Sequence, residues 1–559
     1  MDRARHLRNY DLHSWSGLAL GLFVYIVVFS GSVALFFHEV QSWEDPARRL
    51  GIAEPPIEMN AIFTNWIDKH SNGDPIEFLR FTYPTAYAPY YTGRASIKRE
   101  NEEAKFISQR WDTSTGAPLP ERGEGMSRWL LDFHRDLMWP DFLGGHTAGR
   151  TIVGIVGIIL MLSIVTGVVA HTKITKELFT LRFFRSIRLK WQDAHKVLGL
   201  WGLPFYSMIA FTGAILGVLA IIAPLIAVLT FKGDQTALMN AVLGEPVEAS
   251  GISAEMLSVD DLADLKMPGS NERVRFITMA HYGDTNARFD IYFAPDKELK
   301  LVEGYQINGV TGEKTDGGST FRTSTATRVL TSFSPLHFGT YGGVLLKFAY
   351  FILGIMLSVI TALGMMMWVE RRRHGSTGSR PKKVYEWVSK GTAGTMIGLV
   401  IASAFLLCHD KVYTGLEEKR LFWTGITFFL VWFMAIGFAF FRQNEYAVTK
   451  ELLTATALLL CSAVVLNAIK TNDTLLAIFG SGHKIAAYVD LSLVVLGLAT
   501  IAVAAKLPKA RDHNSNSGRR LSDLFIHLSL KDAVNGIRAL FANSIKPREM
   551  PVDKEPFRK

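Results

Sequence analysis

Two histidines lie in two copies of one sequence motif, at 11–31 and 193–213. Measured from His13 or His195, both copies have Asp at −2, Gly at +4, Leu at +5, Phe at +16, a hydroxyl residue at +17 and Gly at +18. Six matched positions without a gap indicate an internal repeat, so the chain is expected to contain two related units.

A second pair of histidines completes the repeat. His134 and His337 each come shortly before the second apolar stretch of their unit, whereas His13 and His195 begin the first stretch. If pseudo-symmetry relates the units, His13 pairs with His195 at one membrane face and His134 pairs with His337 at the other.

Paired histidines from different helices suit a b-type haem, which needs two neutral imidazoles at one depth and room for a flat macrocycle. The arrangement therefore predicts two b-type haems held by these four histidines. Gly17 and Gly199 have no side chains, so they would thin the helix walls beside His13 and His195, the pair called inner below because it is predicted to face the cytoplasm. A di-zinc site fits less well, because no carboxylate or third histidine recurs at the required spacing. Isolated histidines at span ends are commonly only interfacial polar residues, but symmetric placement of four favours ligation.

Two further residues are candidates for the same sites. His171 closes the second apolar stretch near His13 and His195, so it is an alternative inner ligand or a contact beside the propionates. Arg135 follows His134 on the side where the positive-inside rule does not call for arginine. Its guanidinium is therefore predicted to pair with a haem propionate.

Apolar runs of roughly 20 residues predict eight membrane-spanning helices. They lie at 15–37, 151–170, 197–229, 344–369, 391–408, 421–441, 452–469 and 485–505. Basic residues cluster before the first span, between the second and third, after the fourth and after the eighth. These clusters share one side if every span crosses, so both termini are predicted to be cytoplasmic. Topology thus explains the net charge of +9, and no nucleic-acid partner is expected.

The two long segments on the other side contain strand-like runs at 77–83 and 288–293 and hairpin signals at 111–116 and 307–312. Each segment is predicted to be an α+β domain. The predicted order is a first transmembrane helix (1–39), outer domain 1 (40–133), helices 2 and 3 with a basic loop (134–231), outer domain 2 (232–336), helix 4 (337–375), four additional helices (391–505) and a basic cytoplasmic tail (506–559). The fold class is an α-helical membrane protein with a duplicated four-helix core.

Over about residues 1–375 the chain resembles the PepSY-associated transmembrane helix proteins. The resemblance is carried by His13-Ser-Trp-Ser-Gly17, Phe133-His134-Arg135-Asp136, Gly167-Val-Val-Ala-His171, Asp193-Ala-His195 and Leu336-His337-Phe-Gly339. It implies four core helices, periplasmic PepSY-like domains and b-type haem in the bacterial inner membrane. It also implies a ferric-chelate (siderophore) reductase that acts in iron acquisition, to which the last four spans are an addition.

The sequence contains no dinucleotide-binding or P-loop motif. Electrons would then come from a membrane quinol or a cytoplasmic reductase. Two other functions compete with this one: a non-enzymatic membrane protein whose outer domains bind or regulate a partner, and a transporter that uses the histidines as proton or metal relays. Broken spans and intramembrane carboxylates would favour the transporter, and Asp490 is the one plausible carboxylate.

Overall fold

The computed structural model describes residues 3–74, 76–98, 104–171, 174–180, 187–237, 240, 247–266, 272–293, 299, 303–315, 325–374, 382–442, 445–472 and 484–506. Most of these residues are helical. From residue 507 onward, the predicted basic tail lies outside the described residues.

The α-helices are α1 (Arg3–Ala34), α2 (Phe37–Glu44), α3 (Asn60–Ser71), α4 (Met126–Asp136), α5 (Gly145–Ala170), α6 (Ile174–Glu177), α7 (Ile187–Trp201), α8 (Leu203–Phe231), α9 (Val259–Ala263), α10 (Thr325–Phe338), α11 (Gly343–His374), α12 (Lys382–Val412), α13 (Arg420–Phe441), α14 (Glu445–Thr471) and α15 (Lys484–Lys506). The strands are β1 (Ile76–Thr82), β2 (Tyr90–Ile97), β3 (Lys105–Asp112), β4 (Pro118–Leu119), β5 (Val274–Ala280), β6 (Arg288–Phe293) and β7 (Glu303–Asn308).

Seven helices in the described part of the chain are long and apolar enough to cross a membrane, so the chain is a multi-pass membrane protein. They are α1, α5, α11, α12, α13, α14 and α15, and each overlaps a predicted span.

The remaining predicted span, 197–229, is not one straight helix. Its first part, α7, and its second part, α8, meet at a bend of 69° beside Gly202. Pro204 occupies the first turn of α8, where its missing N–H is tolerated, but in a helix continued from α7 its ring would clash with the Leu200 carbonyl. The span is predicted from a run of apolar residues, and such a run does not reveal a local break in the helix.

The helices of the two repeats form one bundle, in which α1 packs against α5 and α11, and α8 packs against α5. One buried cluster takes Val24 from α1, Leu160 from α5, Ala210 from α8 and Leu357 from α11. Close approach of α5 and α8 depends on small residues: a Cβ added at Gly217 would lie 2.5 Å from the Gly154 Cα.

The two outer segments, predicted as two domains, share a single seven-stranded sheet of order β4-β3-β2-β1-β5-β6-β7. β1 of the first segment pairs antiparallel with β5 of the second. Side chains from both halves, including Leu79, Phe81, Ile277 and Phe289, bury in one core. Pairing satisfies the backbone N–H and C=O groups that an open edge on either half would leave exposed.

Both predicted hairpin signals form matching turns. Asp112 Oδ1 accepts a hydrogen bond from the Ser114 N–H at 2.8 Å, and Asn308 Oδ1 accepts one from the Val310 N–H at 2.8 Å. Each turn places a glycine at positive φ, at 116 and 312. Asx side chains and glycine stabilise such turns because they satisfy backbone donors and permit left-handed backbone.

Two of the four additional helices, α12 and α13, pack against the helix that carries His134. The Phe428 ring of α13 lies 4.2 Å from the Trp129 ring of α4. At the start of α4, the Glu44 carboxylate accepts hydrogen bonds from the Met126 and Ser127 N–H groups at 2.9 and 3.0 Å. α4 is therefore capped by α2 and supported on its side by α13.

Candidate functional site

His13 of α1 and His195 of α7 face each other, with ring centroids 6.1 Å apart and planes at 72°. His13 Nδ1 lies 2.8 Å from the Ser163 carbonyl oxygen of α5, and His195 Nδ1 lies 3.0 Å from the Ile360 carbonyl oxygen of α11. A carbonyl oxygen only accepts, so each Nδ1 carries the hydrogen. In the neutral ring, Nε2 then keeps a free lone pair.

His134 of α4 and His337 of α10 form the second pair, with centroids 6.2 Å apart and planes at 17°. His134 Nδ1 donates to the Val27 carbonyl oxygen at 2.9 Å. His337 Nδ1 lies 3.0 Å from Thr212 Oγ1, whose own hydroxyl donates to the Met208 carbonyl oxygen at 2.8 Å. The threonine oxygen is thus oriented to accept from His337, and Nε2 is again left free.

Each of the four rings lies against a helix glycine. An added Cβ would lie 2.6 Å from His134 at Gly31, 3.0 Å from His13 at Gly167, 3.0 Å from His337 at Gly213 and 3.3 Å from His195 at Gly364. Gly31 and Gly213 are the +18 positions of the repeated motif. Each copy of the motif thus begins with a histidine of the inner pair and ends with a glycine that contacts a histidine of the other pair. The sequence did not predict this second role.

Two glycines near His13 and His195 border open space. Gly17 and Gly199 come one helical turn after His13 and His195, and an added Cβ at either glycine would meet nothing within 4 Å. The expectation that these two glycines thin the wall is consistent with this open space.

The ring separations fit two imidazoles that share one metal. Metal–imidazole nitrogen bonds are about 2.0 Å long, which places the two centroids about 6 Å apart on opposite sides of the ion. Within the described residues, no group of three or more His, Cys, Asp or Glu side chains could hold a metal ion. Each pair offers two nitrogens, which suits an iron already held by a macrocycle and falls short of the four ligands usual for zinc.

A cavity of about 360 Å³ adjoins the second pair. Its lining includes both His134 and His337 and is otherwise mostly apolar, with Val27, Leu160 and Leu357 among its walls. Such a wall excludes water and accepts the faces of a large hydrophobic ring system.

Two arginines, Arg135 and Arg150, line the same cavity. The predicted propionate partner, Arg135, bonds Asp132 at 2.7 Å and Asp136 at 3.4 Å, so carboxylates of its own helix already engage it. Arg150 Nε is buried without a hydrogen-bond partner. Sequence reasoning missed Arg150, although an arginine at the sheet end of an apolar span is unexplained by the positive-inside rule.

His171 lies near the inner end of the bundle but faces Glu177, with 3.7 Å between its Nε2 and the Glu177 Oε2. Lys196 bonds the same carboxylate at 2.5 Å. Burial, followed by Lys196, lowers the pKa of His171. Among the described residues, the histidine rings that face each other at this end are those of His13 and His195. His171 lies beside the basic loop instead.

Two other histidines at the sheet end, His38 and His146, have other partners. His146 Nδ1 lies 2.7 Å from Asp136 Oδ2, and the His38 ring packs on Tyr87 at 5.4 Å. Burial, followed by the nearby Lys347, lowers the pKa of His38 to about 4. Neither histidine belongs to the His134–His337 pair.

Comparison with known proteins gives a family match over the part of the chain that contains both pairs. A family model described as a PepSY-associated TM region matches residues 10–371. An uncharacterised protein of Pseudomonas aeruginosa is 24% identical over 359 residues, which cover 60% of this chain and 85% of that protein. The matched region includes the four histidines, the sheet and the bent span, and the chain belongs to the PepSY-associated transmembrane family.

Proposed function

We propose that this protein is a transmembrane oxidoreductase that binds two b-type haems, one between His13 and His195 and one between His134 and His337. The observation that carries the proposal is the pair of facing imidazoles at each end, with centroids 6.1 and 6.2 Å apart. When bound, the haems would supply one-electron transfer between the two membrane faces.

The protein's own groups prepare the imidazoles for ligation. Backbone carbonyls or a threonine hydroxyl hold all four Nδ1 atoms, which selects the tautomer with Nε2 free. Such outer partners orient the ring and raise its basicity as a ligand. The glycines against the rings let neighbouring helices approach closely enough for these bonds to form.

Helix α1 belongs to both sites. It carries His13 near its start and contacts His134 through Val27 and Gly31 near its end. Eighteen residues separate His13 from Gly31 (31 − 13), which corresponds to about 27 Å of helix. This distance is close to the thickness of a bilayer core, so the two sites would serve opposite faces.

The proposed orientation puts the sheet in the periplasm of a bacterium and both termini in the cytoplasm. It rests on the basic residues before α1, around α6 and after α11. The substrate would be a ferric chelate, reduced on the sheet side as part of iron acquisition. The donor would be a membrane quinol or a cytoplasmic reductase that acts at the His13–His195 end.

Visible spectra of the purified full-length protein, oxidised and reduced, test the proposal. We expect low-spin b-haem absorbance with about two haems per chain. His195→Ala should remove one haem, and His171→Ala should keep both, since His171 faces Glu177. A colourless protein from haem-replete cells would refute the proposal, and loss of a haem in His171→Ala alone would reassign the inner ligand.

A transporter is the second candidate, because the bend of 69° between α7 and α8 is the broken span that such a function predicts. The intramembrane carboxylate is less suited to transport. Asp490 accepts hydrogen bonds from Trp43 Nε1 at 2.6 Å and Asn467 Nδ2 at 3.0 Å, in a packed, buried setting. The haem content of the protein discriminates between the two functions.

A further inference from the structure

Two arginines stand directly opposite each other in the outer sheet. Arg80 of β1 is the cross-strand partner of Arg94 of β2. Both point away from the core face, because their neighbours Leu79 and Ala95 are buried in the core. Like charges directly opposite in an antiparallel pair destabilise a sheet, so a purely structural role does not account for them.

Arg80 also has unused hydrogen-bonding capacity. Its Nε is buried without a hydrogen-bond partner, although part of the side chain is accessible. Burial and then Arg94 lower the pKa of the guanidinium, and within the described residues no carboxylate forms an ion pair with either arginine. Both arginines are therefore available to an external anion.

Aromatic rings surround this positive charge. The Arg80 guanidinium carbon lies 4.6 Å from the Phe276 ring centroid and 5.2 Å from the Phe78 centroid. The Phe276 ring stacks on Tyr292 at 4.4 Å with 22° between the planes. A partly exposed stacked pair beside a guanidinium suits planar aromatic groups that carry negative charge.

This face is directed toward the spanning helices. Arg110, which lies on the same face of β3, bonds Asp45 at 2.6 Å just after α2. Farther along, Lys347 of α11 bonds Glu39 of α2 at 2.7 Å. A ligand on Arg80 and Arg94 would therefore lie on the membrane side of the sheet, the side of His134 and His337.

We propose that Arg80, Arg94, Phe276 and Tyr292 form the recognition site for the substrate, and that this substrate is an anionic chelate with aromatic oxygen donors, such as a catecholate complex of iron(III). The proposal rests on the reductase function proposed above and specifies its substrate class. Arginine forks bind the ring oxygens, and the stacked rings bind the aromatic faces.

Gallium(III) complexes test recognition apart from electron transfer, because gallium(III) resembles iron(III) in charge and size but is not reduced under these conditions. Full-length protein in detergent would be titrated with the trianionic tris-catecholate complex and with a neutral tris-hydroxamate complex. We expect the anionic complex to bind at least about tenfold more tightly, with affinity that falls as salt rises. Equal affinity for the two complexes would overturn the proposal.

Variants then assign the site. Arg80→Gln and Arg94→Gln should each weaken binding of the gallium tris-catecholate about tenfold, the effect of one charge-assisted hydrogen bond. Lys98→Gln is the matched control, since Lys98 is an exposed cation of the same domain that pairs with Glu77 at 3.3 Å. Unchanged affinity in Arg94→Gln would overturn the assignment.

Charge reversal separates recognition from folding. Arg94→Glu places opposite charges across the two strands, so the midpoint of thermal unfolding should stay constant or rise while binding is lost. Retained binding in this variant would contradict the proposal. Binding that follows these expectations in a protein that cannot reduce the iron complex would instead refute the reductase function.

Discussion

The Val27 carbonyl oxygen accepts a hydrogen bond from His134 Nδ1 at 2.9 Å, one helical turn before Gly31, which the His134 ring contacts. The same i, i+4 relation joins Ser163 to Gly167 at His13 and Ile360 to Gly364 at His195. A helical carbonyl already accepts a hydrogen bond from the N–H four residues later. A glycine at that later position has no side chain, so the imidazole can reach the second lone pair of the carbonyl oxygen.

Gly31→Ala tests this relation. The added Cβ would lie 2.6 Å from His134 Cε1, so the imidazole must shift and the sheet-side haem should be lost. We expect haem content to fall from about two to about one per chain, measured by the absorbance of the reduced protein. Gly437→Ala, where an added Cβ meets nothing within 4 Å, is the control and should keep both. A Gly31→Ala variant with full haem content and an unchanged spectrum would contradict the role of this glycine.

Thr212→Val and Ser30→Ala form a matched pair at the two motif positions before the glycines. Thr212 Oγ1 accepts the hydrogen bond from His337 Nδ1 at 3.0 Å, whereas His134 keeps the Val27 carbonyl when the weaker Ser30 contact at 3.5 Å is removed. Thr212→Val should therefore weaken haem retention at the sheet-side site by roughly 10–100-fold, and Ser30→Ala should change it little. Haem loss during dilution or competition with apomyoglobin measures the effect. Equal losses in both variants would be inconsistent with this assignment.

Arg150→Gln removes the arginine that lines the cavity and whose Nε is buried without a hydrogen-bond partner. A positive charge near a haem favours the reduced form, so the substitution should lower the midpoint potential of the sheet-side haem and leave that of the other haem unchanged. Spectroelectrochemical titration resolves the two steps. Arg442→Gln, which removes an exposed arginine paired with Glu451, serves as the control. A potential that does not move would show that Arg150 does not act on this site.

Glu44→Gln tests the cap of α4. Burial, followed by Asp410, raises the pKa of Glu44 to about 7, whereas the pKa in the unfolded chain is about 4.3. The folded state therefore binds more protons between these values, so the free energy of unfolding should decrease as pH rises from about 4 to 7. The glutamine does not titrate, so the variant should lose this part of the pH dependence of stability. Its amide oxygen should still accept the hydrogen bond from the Met126 N–H. Thermal unfolding midpoints of both proteins across this pH range measure it, and identical slopes would count against an ionisable Glu44.

The sequence by itself determined the repeat, seven of the eight predicted membrane-spanning segments and the hairpin turns. These features are encoded locally. Apolar runs, turns with Asx and glycine, and the matched spacing of the two motif copies can be recognised without knowing which helices are in contact. The repeat also predicted that His13 would face His195 and that His134 would face His337, because two similar units related by symmetry bring equivalent residues together.

Only the tertiary structure decided which groups support those histidines. Ser163 and Ile360 contribute backbone carbonyls, which carry no sequence signal, and their contact depends on the register between helices. The pairing of β1 with β5 and the packing of Phe428 on Trp129 likewise join segments far apart in the chain. The free Nε of Arg150 is visible only when its surroundings are known, because burial and partnership are properties of the packed bundle.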